Sequence, residues 1–110
     1  MIGSPEANAS SEVKTSILIL NSYSSRYVWT AELQEGIIKG LKSEEVIIYQ
    51  EFMDAKNISD QQHTKNLYNL YQHKYQDTAL DLIIATDNYA FDFLLKYRQQ
   101  LFGDVPVVFT

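Results

Sequence analysis

The sequence predicts an α/β fold built on a parallel sheet, and three observations predict it. Two short, unbroken apolar runs, Ile17-Leu18-Ile19-Leu20 and Leu82-Ile83-Ile84-Ala85, suit strands buried on both faces. Segments of helical period separate the strand-like runs. Each apolar run empties into a polar loop: Asn21-Ser22-Tyr23-Ser24-Ser25-Arg26-Tyr27-Val28-Trp29-Thr30 after the first, and Thr86-Asp87-Asn88-Tyr89 after the second. In open sheets of this class, ligands sit outside the carboxyl ends of the strands, where the strand order reverses.

The stretch Met1 to Lys14 is small and polar and reads as a disordered lead-in (residues 1–14), which leaves residues 15–110 as the folded unit. Ala7-Asn8-Ala9 has the small-x-small form of a signal-peptidase site, but no apolar region precedes it. Either that region is missing from this sequence or the match is accidental. A first strand is expected near Thr15–Asn21. A helix follows near Thr30–Ser43, capped by Thr30, with Glu32 complementing its dipole and Leu33, Ile37, Ile38 and Leu41 facing inward. In the second strand, Val46–Phe52, Val46, Ile48 and Gln50 alternate with Ile47, Tyr49 and Glu51, and this partly polar alternation is that of an edge strand.

A second helix is expected near Asp60–Tyr75. Ser59-Asp60-Gln61-Gln62 reads as its capping box, and Leu67, Leu70, Tyr71 and Tyr75 as its buried stripe. The third strand spans Asp81–Thr86. The third helix runs near Asn88–Leu101, with Phe91, Leu94, Leu95 and Tyr97 for packing, Gly103 as its C-terminal cap and Pro106 preventing continuation. The fourth strand is Val107–Phe109. Right-handed crossovers then make all four strands parallel, in the flavodoxin-like or Rossmann-like order 2-1-3-4. The first helix lies alone on one face, so strands three and four lack cover on that side. A further βα unit normally supplies it, which makes the chain look like part of a larger fold.

Composition narrows the function classes. At 110 residues there is room for one domain. The net charge of -5 and the lack of a clustered basic helix argue against nucleic acid as a partner. Without cysteine, disulfides, thiolate metal sites and Cys nucleophiles are excluded. No apolar run of about 18 residues is present to span a bilayer. The first βα turn has no glycine, which argues against phosphate or nucleotide binding there. Asp87 resembles the acceptor of a response-regulator receiver, but Asn21-Ser22 stands where the Mg²⁺-binding acidic pair belongs. No G-x-S-x-G elbow is present. His63 and His73 are ten apart, too far for a shared metal on one helix face, and both are expected to face solvent. No catalytic residue, metal or cofactor is therefore assigned. What remains is a set of residues at the strand tips suited to a small organic ligand: Ser22, Tyr23, Tyr27, Trp29, Asp54, Asp87 and Asn88. For each a packing or turn role competes: Trp29 as packing beside a helix start, Asp54 as a turn residue, Asp87 as the cap of the third helix.

The ordered series Ile17-Leu18-Ile19-Leu20-Asn21-Ser22-Tyr23, Tyr27-Val28-Trp29-Thr30, Glu51-Phe52-Met53-Asp54-Ala55-Lys56, Asp81-Leu82-Ile83-Ile84-Ala85-Thr86-Asp87-Asn88 with Ala90, and Val105-Pro106-Val107-Val108-Phe109 resembles one family. It is the extracytoplasmic sensor domain related to substrate-binding proteins of ABC transporters, found ahead of bacterial histidine kinases and GGDEF diguanylate cyclases. The resemblance implies the first lobe of a type I periplasmic-binding-protein-like domain, with a ligand cleft between two lobes. It also implies a non-catalytic role, a periplasmic or extracytoplasmic location tethered to the inner membrane, and a second lobe, a downstream signalling module and a possible homodimer as partners. The cleft positions map onto Ser22, Tyr23, Trp29, Asp54, Asp87 and Asn88. Two other readings stand beside it: a free substrate-binding protein of an ABC importer, and an enzyme on a flavodoxin-like scaffold.

Overall fold

The computed structural model describes residues 15–26, 28–41 and 46–110, and of residues 28–30, 40 and 41 the backbone alone. The lead-in expected over residues 1–14 lies outside the described residues, as does Tyr27. Seven elements alternate along the chain: β1 (Thr15–Asn21), α1 (Val28–Leu41), β2 (Val46–Phe52), α2 (Gln61–Tyr75), β3 (Leu82–Thr86), α3 (Asp87–Phe102) and β4 (Val107–Phe109). All strand pairs are parallel, in the order β2-β1-β3-β4. The fold is the α/β sheet that the apolar runs and crossover rule predict.

Register assigns the two faces. Leu18 pairs with Tyr49 and Ile83, and Leu20 with Glu51 and Ala85, so these residues share one face. That face packs against α2 and α3 in a core that also holds Met53, Leu67, Tyr71, Tyr75, Leu80, Ala90, Phe93 and Leu94. Ile17, Ile19 and Asn21 point the other way, toward α1, together with Ile48, Phe52, Leu82, Ile84 and Thr86. The four apolar residues at the centre of β1 are all at most 3% exposed, which is why that run carries no polar alternation. On the α1 side β3 and β4 are thinly covered: Leu82 and Ile84 are half-buried and Val108 is 50% exposed.

Several local expectations shift. α1 begins at Val28, so Thr30 lies inside its first turn and does not cap it, and no acidic residue falls in that turn. Glu32 therefore sits beyond the reach of the helix-end charge, which fades after one turn. Asp60, not Ser59, is the N-cap of α2: its backbone is extended and its Oδ1 accepts from the His63 N–H at 2.8 Å. The third helical position is then His63 rather than Gln62, and the reciprocal bond of a capping box is lost. His63 is not solvent-facing. It is half-buried, and its Nε2–H donates to the Met53 carbonyl at 2.6 Å, whereas His73 is exposed.

Leu70 is 48% exposed and Leu95 is 71% exposed, although both were expected to pack. Leu67, Tyr71 and Tyr75 repeat every four residues and define the buried line of α2; Leu70 lies about 100° around the helix from Tyr71. Leu95 is displaced from Leu94 by the same angle on α3. Gly103 ends α3 as expected, with a positive φ of 76° and its N–H shared between the carbonyls of Arg98 and Gln99.

Candidate functional site

The ladder of β1 does not stop at its last strand residue. The Met53 N–H donates to the Asn21 carbonyl, the Ala55 N–H to the Ser22 carbonyl, and the Ser22 N–H to the Thr86 carbonyl. At β4, the Asp87 N–H donates to the Thr110 carbonyl and the Thr110 N–H to the Ala85 carbonyl. These bonds bring the carboxyl ends of all four strands into one rim. Tyr23 rises from the β1 tip, Asp54 from β2, and Asp87 and Asn88 from β3. Tyr23, Asp54 and Asp87 are half-buried and Asn88 is exposed.

Beneath the rim lies a buried polar relay. Asn21 is fully buried; its Nδ2 donates to Gln34 Oε1 at 2.7 Å and to the Glu51 carbonyl at 3.2 Å, and its Oδ1 accepts from Thr86 Oγ1 at 3.0 Å. Ser22 is also fully buried. Its hydroxyl donates to the Thr86 carbonyl at 2.7 Å and accepts from the Ala90 N–H at 2.8 Å. That second bond serves one of the four orphan amides that open α3. Ser22 thus ties the end of β1 to the start of α3, and its hydroxyl is occupied in doing so.

Two of the rim residues have unusual backbones. Asp54 has φ 59° and Asp87 has φ 70°; they are the non-glycine residues with positive φ among the described residues. A left-handed conformation costs an L-residue about 1–2 kcal/mol, less for Asp than for most because its short side chain bonds locally. Both residues do so. Asp54 Oδ1 accepts from Asn57 Nδ2 at 2.8 Å, and its carbonyl accepts from the N–H groups of Asn57 and Ile58. Asp54 is thus a turn residue as well as a rim residue. Asp87 Oδ1 accepts from the Asn88 N–H at 2.7 Å. Asp87 is the first residue of α3 and does not cap it; Thr86 takes the cap position without a side-chain bond, and Ser22 reaches in from β1.

Lys56 joins the rim from the loop after β2, its Nζ 5.2 Å from the centre of the Tyr23 ring. Sequence reasoning did not single out Lys56, Asn21, Gln34 or Thr86. A polar residue ending each of two apolar strands, Asn21 and Thr86, was the available signal for the relay. Trp29 lies in the first turn of α1, and its side chain is outside the described residues.

A second polar cluster sits on the opposite face of the sheet from Asn21, against the last turn of α2. Glu51 is 8% exposed; it accepts from the Tyr75 hydroxyl at 2.6 Å and pairs with Lys74 Nζ at 2.6 Å. Burial first, then the hydrogen bond to Glu51, pushes the Tyr75 phenol well above its ordinary pKa. Burial, with the Glu51 charge behind it, does the same for Tyr71. Both phenols are packed edge-on to neighbouring rings, Tyr75 to Tyr49 and Phe102, Tyr71 to Phe93.

Among the described residues, no three His, Cys, Asp or Glu side chains gather as a metal site, and no helix is long and apolar enough to cross a membrane. The Ser22 hydroxyl faces a carbonyl and an amide, not a base. The rim brings together a ring, two carboxylates, an amide and a cation. No family model matches the chain, and no curated protein and no solved structure matches it.

Proposed function

We propose that this chain is one lobe of a ligand-sensing domain that recognises a small organic molecule at the carboxyl rim of its sheet and performs no chemistry on it. The observation that carries this reading is the pair of left-handed aspartates, Asp54 and Asp87, just past the ends of the two strands that flank β1 and its Tyr23-bearing tip. Backbone strain held on a rigid scaffold concentrates at sites of recognition. The relay of Asn21, Ser22 and Thr86 supplies that scaffold. Ser22 supports the site rather than touching ligand. Tyr23 offers its ring, Asp87 receives a ligand amine, Asn88 adds an amide, and Asp54 has a smaller part because its carboxylate is already engaged by Asn57. The sequence resemblance extends the reading to an extracytoplasmic sensor of a histidine kinase or diguanylate cyclase, closed over its ligand by a second lobe.

The test is an NMR titration of the chain with amino acids and small amines at millimolar concentration. One lobe leaves the ligand open to water on its far side, so weak binding is expected. Shifts should gather at the amides of Tyr23, Asp54, Asp87 and Asn88 and vanish in Tyr23→Ala and Asp87→Ala. Shifts confined to other surfaces, or unchanged in both variants, would refute the assignment.

A further inference from the structure

We infer that the outer edge of β2 is a dimer interface, at which a second copy of this chain lays its own β2 antiparallel to the first and joins the two sheets into one. β2 ends the sheet and pairs with β1 alone among the described strands. The Met53 N–H and the Glu51 carbonyl are both directed at Asn21 of β1. Backbone groups alternate sides along a strand, so those of Val46, Ile48, Gln50 and Phe52 point outward. None of them has a hydrogen-bond partner among the described residues.

Proteins blunt such edges with short strands, prolines, lysines or bulges, because an open edge is a template for another strand. The opposite edge of this sheet is blunted: β4 has three residues, and Pro106 stands just before it. β2 has none of these devices. It runs for seven residues, Val-Ile-Ile-Tyr-Gln-Glu-Phe, without proline or a basic side chain, and its register on β1 has no bulge. Its one charge, Glu51, is buried and already engages Tyr75 and Lys74.

Symmetry and charge select a second copy as the occupant. A two-fold axis at Tyr49 pairs the whole strand: Tyr49 with itself, Ile48 with Gln50, Ile47 with Glu51 and Val46 with Phe52. The outward amides then fall opposite one another as hydrogen-bonded pairs, Ile48 with Gln50 and Val46 with Phe52. The chain carries a net charge of -5, yet no like charges meet here, because each Glu51 lies opposite an isoleucine. Ile47, 41% exposed in one copy, gains cover from the other, and the two Tyr49 rings become cross-strand neighbours.

Sedimentation velocity across micromolar concentrations should show a monomer–dimer equilibrium. Gln50 is exposed and its N–H points outward, so Gln50→Pro removes an edge donor from each copy and leaves the ladder to β1 intact. It should raise the dissociation constant about tenfold or more. Gln50→Glu and Gln50→Lys set like charges on diagonal positions across the pairing. Each alone should be monomeric, and an equimolar mixture of the two should regain the dimer. These two variants decide the matter if the proline variant fails to fold. In a half-labelled, isotope-filtered NMR sample, the Tyr49 α-protons of the two copies should show an intermolecular contact. A chain that is monomeric at every concentration, a dimer untouched by the Gln50 substitutions, or one without the Tyr49 contact overturns the inference. The substitutions leave the rim residues in place, so the ligand site stands or falls separately.

Discussion

The two faces of this sheet are made from the same four strands and differ sharply. Toward α2 and α3, Leu18, Leu20, Ile83 and Ala85 are fully buried beneath a layer of edge-on and tilted rings. Toward α1, Ile17 and Ile19 are buried, but Leu82 and Ile84 are only half so, and Gln34 is the one buried side chain among those described on the helix. Two helices and a set of aromatics close one face; one helix covers β1 on the other and leaves β3 and β4 thinly clad. Cohesion resides in the first face, and the open groove beside α1 lies on the second.

Adjacent residues of β3 give the sharpest way to break this comparison. Ile83→Ala opens a cavity in the closed face and should cost about 2–5 kcal/mol, whereas Ile84→Ala on the α1 face should cost less than half as much. Denaturant titration of both variants checks this, and equal losses would erase the distinction. Tyr75→Phe comes next. It leaves the buried Glu51 with Lys74 alone and should cost about 1–3 kcal/mol at neutral pH.

The same phenols set an alkaline limit. Tyr71 and Tyr75 are raised in the folded state, so the native protein keeps protons that the unfolded chain releases near pH 10. Their contribution is fully present below about pH 10 and is lost as pH climbs above it. Melting temperature should therefore fall from about pH 10 upward, and less steeply in Tyr71→Phe. A curve flat to high alkali would show that the closed face lets its phenols ionise.

Smaller still is Ser22→Ala, which removes the bond to Ala90 at the seam of the two faces and should cost about 1 kcal/mol. Val108→Lys, on the half-exposed edge of the α1 face, should change stability by less than about 0.5 kcal/mol. A larger loss would mean that this face is covered after all.

How much of this was legible follows from what each signal contains. The run Ile17-Leu18-Ile19-Leu20 has no polar alternation, and only a strand buried on both sides allows that; parallel order and thin cover over β3 and β4 followed from crossover handedness. Leu70 and Leu95 misled because apolar character says nothing of angle around a helix, and each sits beside a better-placed neighbour. Asp60 displaced Ser59 because both residues are good caps and only the backbone chooses between them. The role of Ser22 was illegible in principle: its acceptor bond reaches a residue 68 positions away. Of the candidate tip residues, Tyr23, Asp54, Asp87 and Asn88 do share one rim, which strand topology alone predicts; the positive φ of the two aspartates has no signature in composition.

One distribution of chromophores gives each face its own optical probe. The single tryptophan, Trp29, belongs to α1, while Tyr49, Tyr68, Tyr71, Tyr75 and Tyr97 crowd the opposite layer. Indole fluorescence excited at the red edge, beyond tyrosine absorption, reports α1, and the near-ultraviolet dichroism of tyrosine reports the ring layer. A domain that unfolds as one unit gives superimposable curves from the two probes. With Gln34 the one buried side chain among those described on α1, the fluorescence midpoint should fall at lower urea than the dichroism midpoint.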